Sequence, residues 1–433
     1  MKLVLTPIML LAVGVTYAVT LDEAVSTALE IRGDVQAARS EHRAAQWQSR
    51  GATYWFLPSV TGQISFQRDH DIREIEVPGM GSLPMGSEYT SMAGITVQVP
   101  LYVPQGPAGA RLYGRSSDLA EARLMSTELD AVSQVIKAFY GVLLSQRMVE
   151  VAEEALEIAR EGYELAQARY DAGTISRFEL LQSHVAWQNR KPEAISARSA
   201  LETARRGLAV AMGLDDTVEV ELEGFLEAPI HASIPTSLSE ARRLMETHSP
   251  ELAMADAMRL SAEAGVDMAR SEFLPSLVFQ TDYYYQAMRD DYEFSTDDYD
   301  RSWSTSISLQ IPIFDGLSDI SGYNAARSEQ LASYSEARAL KQSSGLSLVQ
   351  AWNSLEEARE RVESTCATVV EAEEGAEIAR VSYEAGMITR LEMDQAFLAL
   401  TSARSNHAQS LFELRSAETD LTRTMGTMKG AGR

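Results

Sequence analysis

The sequence predicts an α+β membrane protein built from long antiparallel helical hairpins and a few strands, arranged as two internal structural repeats. Three observations carry that expectation. First, residues recur at fixed offsets. Leu21, Ala24, Phe56, Leu57 and Pro58 reappear as Leu238, Ala241, Phe273, Leu274 and Pro275. Tyr170, Gly173, Glu179, Gln182, Met212 and Gly213 reappear as Tyr383, Gly386, Glu392, Gln395, Met425 and Gly426. Self-similarity on this scale implies two equivalent halves. Second, proline is missing from 108–191 and after 312, where Ala, Glu, Arg and Leu abound, a composition that favours long helices. Third, four segments alternate apolar and polar residues with period two, as a strand with two unlike faces does.

Taken in order, residues 1–18 read as a secretory signal: Lys2, an apolar stretch from Leu3 to Val15, and the small-residue cleavage site Thr16-Tyr17-Ala18. A membrane anchor is the rival reading, but the apolar run falls short of the ~20 residues a bilayer needs. The first repeat, 19–213, opens on a short helix, continues with strands at about 59–67 and 90–101, and ends in a helical hairpin turning at 173. Residues 214–237, carrying Pro229 and Pro235, link the halves. The second repeat, 238–427, follows the same order, with strands at about 276–285 and 302–313 and a turn at 386; residues 428–433 form a tail.

The long helices carry a heptad. Val142, Val149, Leu156, Tyr163 and Tyr170 form one column and Ser145, Ala152, Ala159 and Ala166 another. Leu355, Val362, Val369, Ala376 and Tyr383 repeat the first, and Ala358, Thr365, Ala372 and Ala379 the second. A strict seven-residue period specifies helices packed in a left-handed supercoil. At ~1.5 Å per residue, residues 108–171 make a rod of roughly 95 Å. Each rod stops at a glycine, Gly173 or Gly386, where helices usually end in a left-handed residue. Capping boxes, Ser176-Arg-Phe-Glu179 and Thr389-Arg-Leu-Glu392, start the return helices. Pro192 interrupts the first return helix and predicts a kink in that half only, because its counterpart is Ser405.

Among the strands, Trp303, Thr305, Ile307, Leu309, Ile311 and Ile313 alternate most cleanly with Ser304, Ser306, Ser308 and Gln310. Tyr54, Trp55, Phe56, Tyr102, Phe273 and Phe314 flank one end, and Tyr283, Tyr284, Tyr285 and Trp303 the other. A soluble sheet with one wet face would alternate likewise. Bulky residues facing lipid, polar residues facing water and an aromatic girdle at each interface fit a membrane barrel. Residues 68–89 and 286–301 read as polar outward loops. Four strands cannot close a barrel, and an open edge in lipid leaves backbone groups unpaired. The expectation is therefore a transmembrane β-barrel completed by trimerisation, four strands per protomer, extended by a long α-helical barrel.

A net charge of −24 argues against nucleic acid as a partner, since phosphates would be repelled. The one cysteine, Cys366, lies in a helical pattern and reads as a packing residue. The six histidines are scattered, with no HExxH, CxxC or phosphate-loop motif. An enzyme is therefore not expected, nor any catalytic residue, metal or cofactor. A periplasmic coiled-coil scaffold without a pore accounts for the heptads but not for the strands.

The duplication, the entries Phe56-Leu57-Pro58 and Phe273-Leu274-Pro275, the strand ends Val99-Pro100-Leu101 and Ile311-Pro312-Ile313, and the Tyr-x-x-Gly tips resemble the TolC family of outer membrane efflux proteins over essentially the whole mature chain. The resemblance implies a homotrimer in outer membrane lipid that reaches into the periplasm of a Gram-negative cell. It also implies an exit duct of a tripartite efflux or type I secretion system, working with a periplasmic adaptor and an inner-membrane transporter. In that family the periplasmic tip is held closed by links between hairpins. Tyr383 matches the gate tyrosine, Glu179 its acidic partner, and Glu392 the first acidic ring position. The second ring position falls on Gln395, which displaces that ring to Asp394. The basic gate position is Ile388, so Arg177 and Arg390 are the available substitutes. Gly173 and Gly386 would present the turns on which an adaptor docks. Capping alone accounts for Glu179 and Glu392, and packing for Tyr383. A duct of this kind should need detergent and run as a heat-labile trimer. A scaffold should stay soluble without detergent, and purification from membranes separates the two.

Overall fold

The computed structural model describes residues 18–77, 79, 81–230 and 234–428. The expected leader lies outside them apart from Ala18, and so does the tail beyond Met428. In chain order the elements are β1 (Ala18–Val19), α1 (Leu21–Ile31), α2 (Gly33–Thr53), β2 (Ser59–Arg68), β3 (Arg73–Val77), β4 (Gly81–Met85), β5 (Tyr89–Tyr102), α3 (Gln105–Asp171), α4 (Arg177–Ala211), β6 (Glu221–Leu222), α5 (Leu238–His248), α6 (Pro250–Ser271), β7 (Ser276–Arg289), β8 (Asp300–Gln310), α7 (Ser318–Glu384) and α8 (Arg390–Met425). They divide into two compact units: Glu41–Glu121 with Ala255–Arg338, and the remainder.

The first unit holds a four-stranded antiparallel sheet in the order β2-β5-β7-β8. Its register aligns like with like. Val60, Val97, Thr281 and Thr305 form one cross-strand row, and Gly62, Ile95, Tyr283 and Trp303 the next on the same face. On the opposite face Ser59, Gln98, Gln280 and Ser306 form a row, with Thr61, Thr96, Asp282 and Ser304 beside it. A one-residue slip would exchange the two faces. Thr96 Oγ1 donates to Asp282 Oδ1 at 2.7 Å, tying the polar face together across strands. The apolar face is uncovered: Ile64 is 88% exposed and Trp303 76%. β2 and β8 are the edge strands, and among the described residues neither has a second strand beside it.

Three sequence expectations need correction here. Residues 68–89 are not simply a loop, because β3 and β4 pair antiparallel between the sheet strands. The alternation Glu74-Ile75-Glu76-Val77 and the turn glycine Gly79 at φ 91° are the local causes. β7 runs on to Arg289 and β8 starts at Asp300, shortening the loop expected at 286–301. β8 also ends at Gln310, short of Pro312, whereas β5 carries Pro100 at a register irregularity. A proline cannot donate to a ladder and is tolerated only where pairing is already broken.

The second unit packs the helices. Ala24, Val25, Ala28 and Leu29 of α1 join Val132, Val135, Ile136, Phe139 and Leu143 of α3 and Leu208 of α4 in one core. Ala241 and Met245 of α5 join Leu348 and Leu355 of α7 and Leu421 and Met425 of α8 in another. The linker is fastened between them: Tyr140 donates its hydroxyl to Ala228 O at 2.9 Å, and Arg415 Nη2 donates to Glu227 O at 2.7 Å. The heptad columns face inward in the second half, where Leu355, Ala358, Ala376, Ala379 and Tyr383 are all buried.

The opening helix of each half is two helices, broken at Arg32 (ψ 128°) and at Ser249 (ψ 123°). Pro250 forces the residue before it out of the helical region, and Gly33 stands at the corresponding position. Each break receives the end of a long return helix. Gly213 and Gly426 close α4 and α8 with left-handed φ of 81° and 73°. A Cβ there would lie 2.8 Å from Arg32 Cα and 2.2 Å from His248 O respectively. α4 runs on through Pro192. The lost bond is a single one, and the Arg190–Glu193 pair at 2.7 Å bridges the same turn.

The strand-to-helix turn before α7 is strained, with Gly316 (φ 75°) and Leu317 (φ 74°) both left-handed. Asp315 accepts from the amides of Leu317 (3.1 Å) and Asp319 (2.5 Å) there. A left-handed non-glycine residue costs roughly 1–2 kcal/mol. Gly426→Ala adds a backbone clash to that cost, whereas Gly386→Ala meets open space. Thermal unfolding in detergent should therefore show a clearly larger loss for Gly426→Ala than for Gly386→Ala, and equal losses would refute the wedge.

Candidate functional site at the hairpin tips

Both hairpin tips are built by the same local rule. Gly173 N donates to Tyr170 O and Thr174 N to Arg169 O, each at 2.9 Å. Gly386 N donates to Tyr383 O at 3.0 Å and Met387 N to Ser382 O at 2.8 Å. This paired arrangement requires the left-handed glycine, whose φ is 73° and 74°. Nothing lies within 4 Å of a Cβ placed on either glycine, so the turns are open to the outside.

The return helices start differently. Ser176 accepts from Glu179 N at 3.3 Å, and the Glu179 side chain stays exposed. Thr389 and Glu392 complete a full box: Thr389 Oγ1 accepts from Glu392 N at 3.3 Å, and Glu392 Oε2 accepts from Thr389 N at 2.7 Å and from its hydroxyl at 2.8 Å. The Thr389 amide, and then its hydroxyl, hold the Glu392 carboxyl below its ordinary value of 4.5. Of the acids read from the sequence, Glu392 is thus folded onto its own helix start and Asp394 is engaged by Arg390. Arg177 is exposed.

Arg390 is the centre of the site. Its side chain is only 9% exposed, and Nε sits 2.9 Å from Asp394 Oδ1, off the N–H axis, making an ion pair rather than an aligned hydrogen bond. Nη1 donates to Gly162 O, in the other hairpin, at 3.4 Å. Gly162 makes room for this, since a Cβ there would stand 2.3 Å from Arg390 Nη2. Tyr383, 9% exposed, packs with Ala379 and Met393. Its ring lies between two guanidinium groups, Arg169 at 4.7 Å and Arg390 at 5.8 Å. The structure therefore brings Tyr383, Arg390 and Asp394 together, and leaves Glu179 and Arg177 apart from them.

The sequence reading missed Arg169 and Gly162. It also missed a ladder of links that holds α8 antiparallel to α3: Arg423–Asp130 (2.6 Å), Lys137–Asp420 (2.6 Å), Arg404–Glu154, and Arg390–Gly162 at the tip. Arg404 also reaches Glu373 at 2.8 Å. Among the described residues no cluster of acids, histidines and cysteines could hold a metal. No described helix is long and apolar enough to cross a membrane.

A four-stranded sheet with one uncovered apolar face, together with two long helical hairpins, is a fold shared with solved outer membrane channels. The CmeC outer membrane channel of Campylobacter jejuni has this fold, with a TM-score of 0.80 at 16% identity over 94% of this chain and 85% of that one. The family model for outer membrane efflux proteins matches residues 24–214 and 242–427, and the chain belongs to that family. Protein CyaE of Bordetella pertussis is 28% identical over 70% of this chain, and the match spans 62% of CyaE's own length. The cobalt-zinc-cadmium resistance protein CzcC of Cupriavidus metallidurans is 28% identical over 78% of each chain.

Two predictions follow from this geometry. Tyr383→Phe should be nearly neutral and Tyr383→Leu should destabilise the tip by about 1–2 kcal/mol, because the ring carries two cation–π contacts; protease sensitivity of the tip reads the difference. A depressed carboxyl pKa contributes stability that is present above the ordinary value and lost as pH falls through the folded one. The α8 start should accordingly fray below pH 4.5, the ordinary value, seen as faster amide exchange at 389–392, and Thr389→Val, which keeps the amide and removes only the hydroxyl, should weaken that pH dependence, whereas Glu392→Gln should abolish it.

Proposed function

We propose that three copies of this chain form one passive duct that carries cargo from an inner-membrane transporter, through a periplasmic adaptor, to the cell exterior. The uncovered apolar sheet face between two free edges carries this reading. Each unpaired backbone group in lipid costs several kcal/mol, and a neighbour's β2 laid against β8 removes the edge. Twelve strands give a lumen too wide for side chains to fill. The wall would be lined by the hydroxyl and amide rows containing Ser59, Gln98, Gln280 and Ser306.

In this reading residues 1–18 are a cleaved export signal, and 19–213 and 238–427 are two structural repeats of one ancestral unit, joined by 214–237. Elements of equal length support it: α1 and α5 have 11 residues each, α3 and α7 67 each. A periplasmic scaffold without a pore leaves the uncovered apolar face without a purpose. The relatives are named for metal resistance and, in AprF of Pseudomonas aeruginosa, for alkaline protease secretion. That breadth fits a duct whose cargo is chosen by the pump.

The tip is the gate. Arg390, braced by Asp394 and Tyr383, holds the second hairpin against α3 and keeps the opening narrow. Glu179 and Glu392, three copies of each, focus negative potential there and favour cations. The open turns at Gly173 and Gly386 offer the surface for an adaptor's helices.

Purified protein in planar bilayers should conduct cations in small steps. Arg390→Ala should raise the conductance several-fold, and Glu392→Ala should weaken block by divalent cations. A verified trimer with no channel activity would sink the duct, and unchanged conductance in Arg390→Ala would sink the latch.

A further inference from the structure

We propose that Arg177 of one copy enters a notch at Gly375 on α7 of a second copy, repeating across the subunit boundary the contact that Arg390 makes with Gly162 inside the chain. The proposal rests on the trimer proposed above. Its starting point is the ladder that sets α8 beside α3. A shift of 213 positions turns α3 into α7 and α8 into α4, and it turns Gly162 and Arg390 into Gly375 and Arg177. The same four parts that meet within the chain therefore exist a second time, on α4 and α7.

Within one copy the second set does not meet. Tyr170 is 38% exposed where its counterpart Tyr383 is buried. Arg177 is exposed where Arg390 is covered, and nothing lies within 4 Å of a Cβ on Gly375. A glycine inside a helix costs about 1 kcal/mol relative to alanine, and no contact within the chain requires one at 375. The faces that would adjoin are also bare: Phe178, Leu181 and Val185 on α4, and Ile378 and Val381 on α7, are exposed apolar residues. Their burial needs a partner, and a copy in which α4 meets α7 as α8 meets α3 supplies it.

The register makes the proposal specific. The other three ladder pairs become Val210 with Ser343, Gly207 with Gln350, and Lys191 with Ala367. None of these is an ion pair. The arginine and its glycine notch are the one link retained, so the tip is where the boundary between copies would be fastened. Leu181 replaces Asp394 as the neighbour of this arginine. The acids Glu371 and Glu374 beside Gly375 would offset the charge of Arg177 on the receiving helix.

The test uses the full-length protein in detergent, with Cys366→Ser to remove the native thiol. Arg177→Cys with Gly375→Cys, treated with a bis-maleimide no longer than an extended arginine side chain, should convert most of the protein to two- and three-copy bands on a denaturing gel. Arg390→Cys with Gly162→Cys should cross-link within single chains and give no such bands. A particle that sizes as a trimer yet yields only single-chain product from the first pair overturns the proposal. A particle that does not size as a trimer overturns the trimer reading itself. As an independent measure, Arg177→Ala and Gly375→Leu should each lower the temperature at which the trimer dissociates, and the double variant should lose no more than either alone. Additive losses would contradict a shared contact.

Discussion

Unpaired peptide groups along β2 and β8 are the constraint on which the molecule's organisation turns. In water an open strand edge is a nuisance; in hydrocarbon each donor or acceptor left alone is penalised heavily. The side-chain pattern suits a lipid setting, because the register gathers Val60, Val97, Ile95 and Trp303 on one face and Ser59, Gln98, Gln280 and Ser306 on the other. A sheet so divided has one face for oil and one for water. The helical part answers to a similar shortage. Small residues along α3 and α7 leave the hairpins held by polar links such as Arg423–Asp130 and Lys137–Asp420, with larger apolar cores where α1, α5 and the linker close over them and a small one at the second tip.

Much of the fold was legible because its signals are local. Period-two alternation located four strands to within a few residues, and a lone glycine followed by a Ser or Thr cap located both hairpin turns. What escaped was decided by local competition or by distant packing. The break at Ser249 follows from Pro250 and could have been read. The break at Arg32 has no such mark, and there the return helix ending at Gly213 fills the gap. At Pro192 a single missing hydrogen bond does not end α4. β3 and β4 were overlooked because a proline- and glycine-bearing stretch reads as a loop even when short strands flank its turn.

The site was legible in its parts and not in its assembly. Tyr383, Arg390 and Asp394 were singled out by the family resemblance, through their positions around Gly386. Which charge each would meet could not be named, because Arg390 crosses 228 positions to reach Gly162. A glycine inside a helix gives no hint in sequence of the side chain it admits. Glu392 shows the complementary error of emphasis: its carboxylate closes the box with Thr389, so a residue singled out for an electrostatic role also starts a helix. Glu179, at the corresponding position, keeps its side chain exposed.

Leu317 has one more implication. A leucine held in the left-handed region is an unfavourable choice that glycine or asparagine would relieve without touching any neighbour. Its persistence at the start of α7, one of two 67-residue helices, marks a place where sturdiness has been left unclaimed. Selection for heat tolerance in a mutagenised population would reach that codon early, and the turn before α7 would be the first part of the protein to harden.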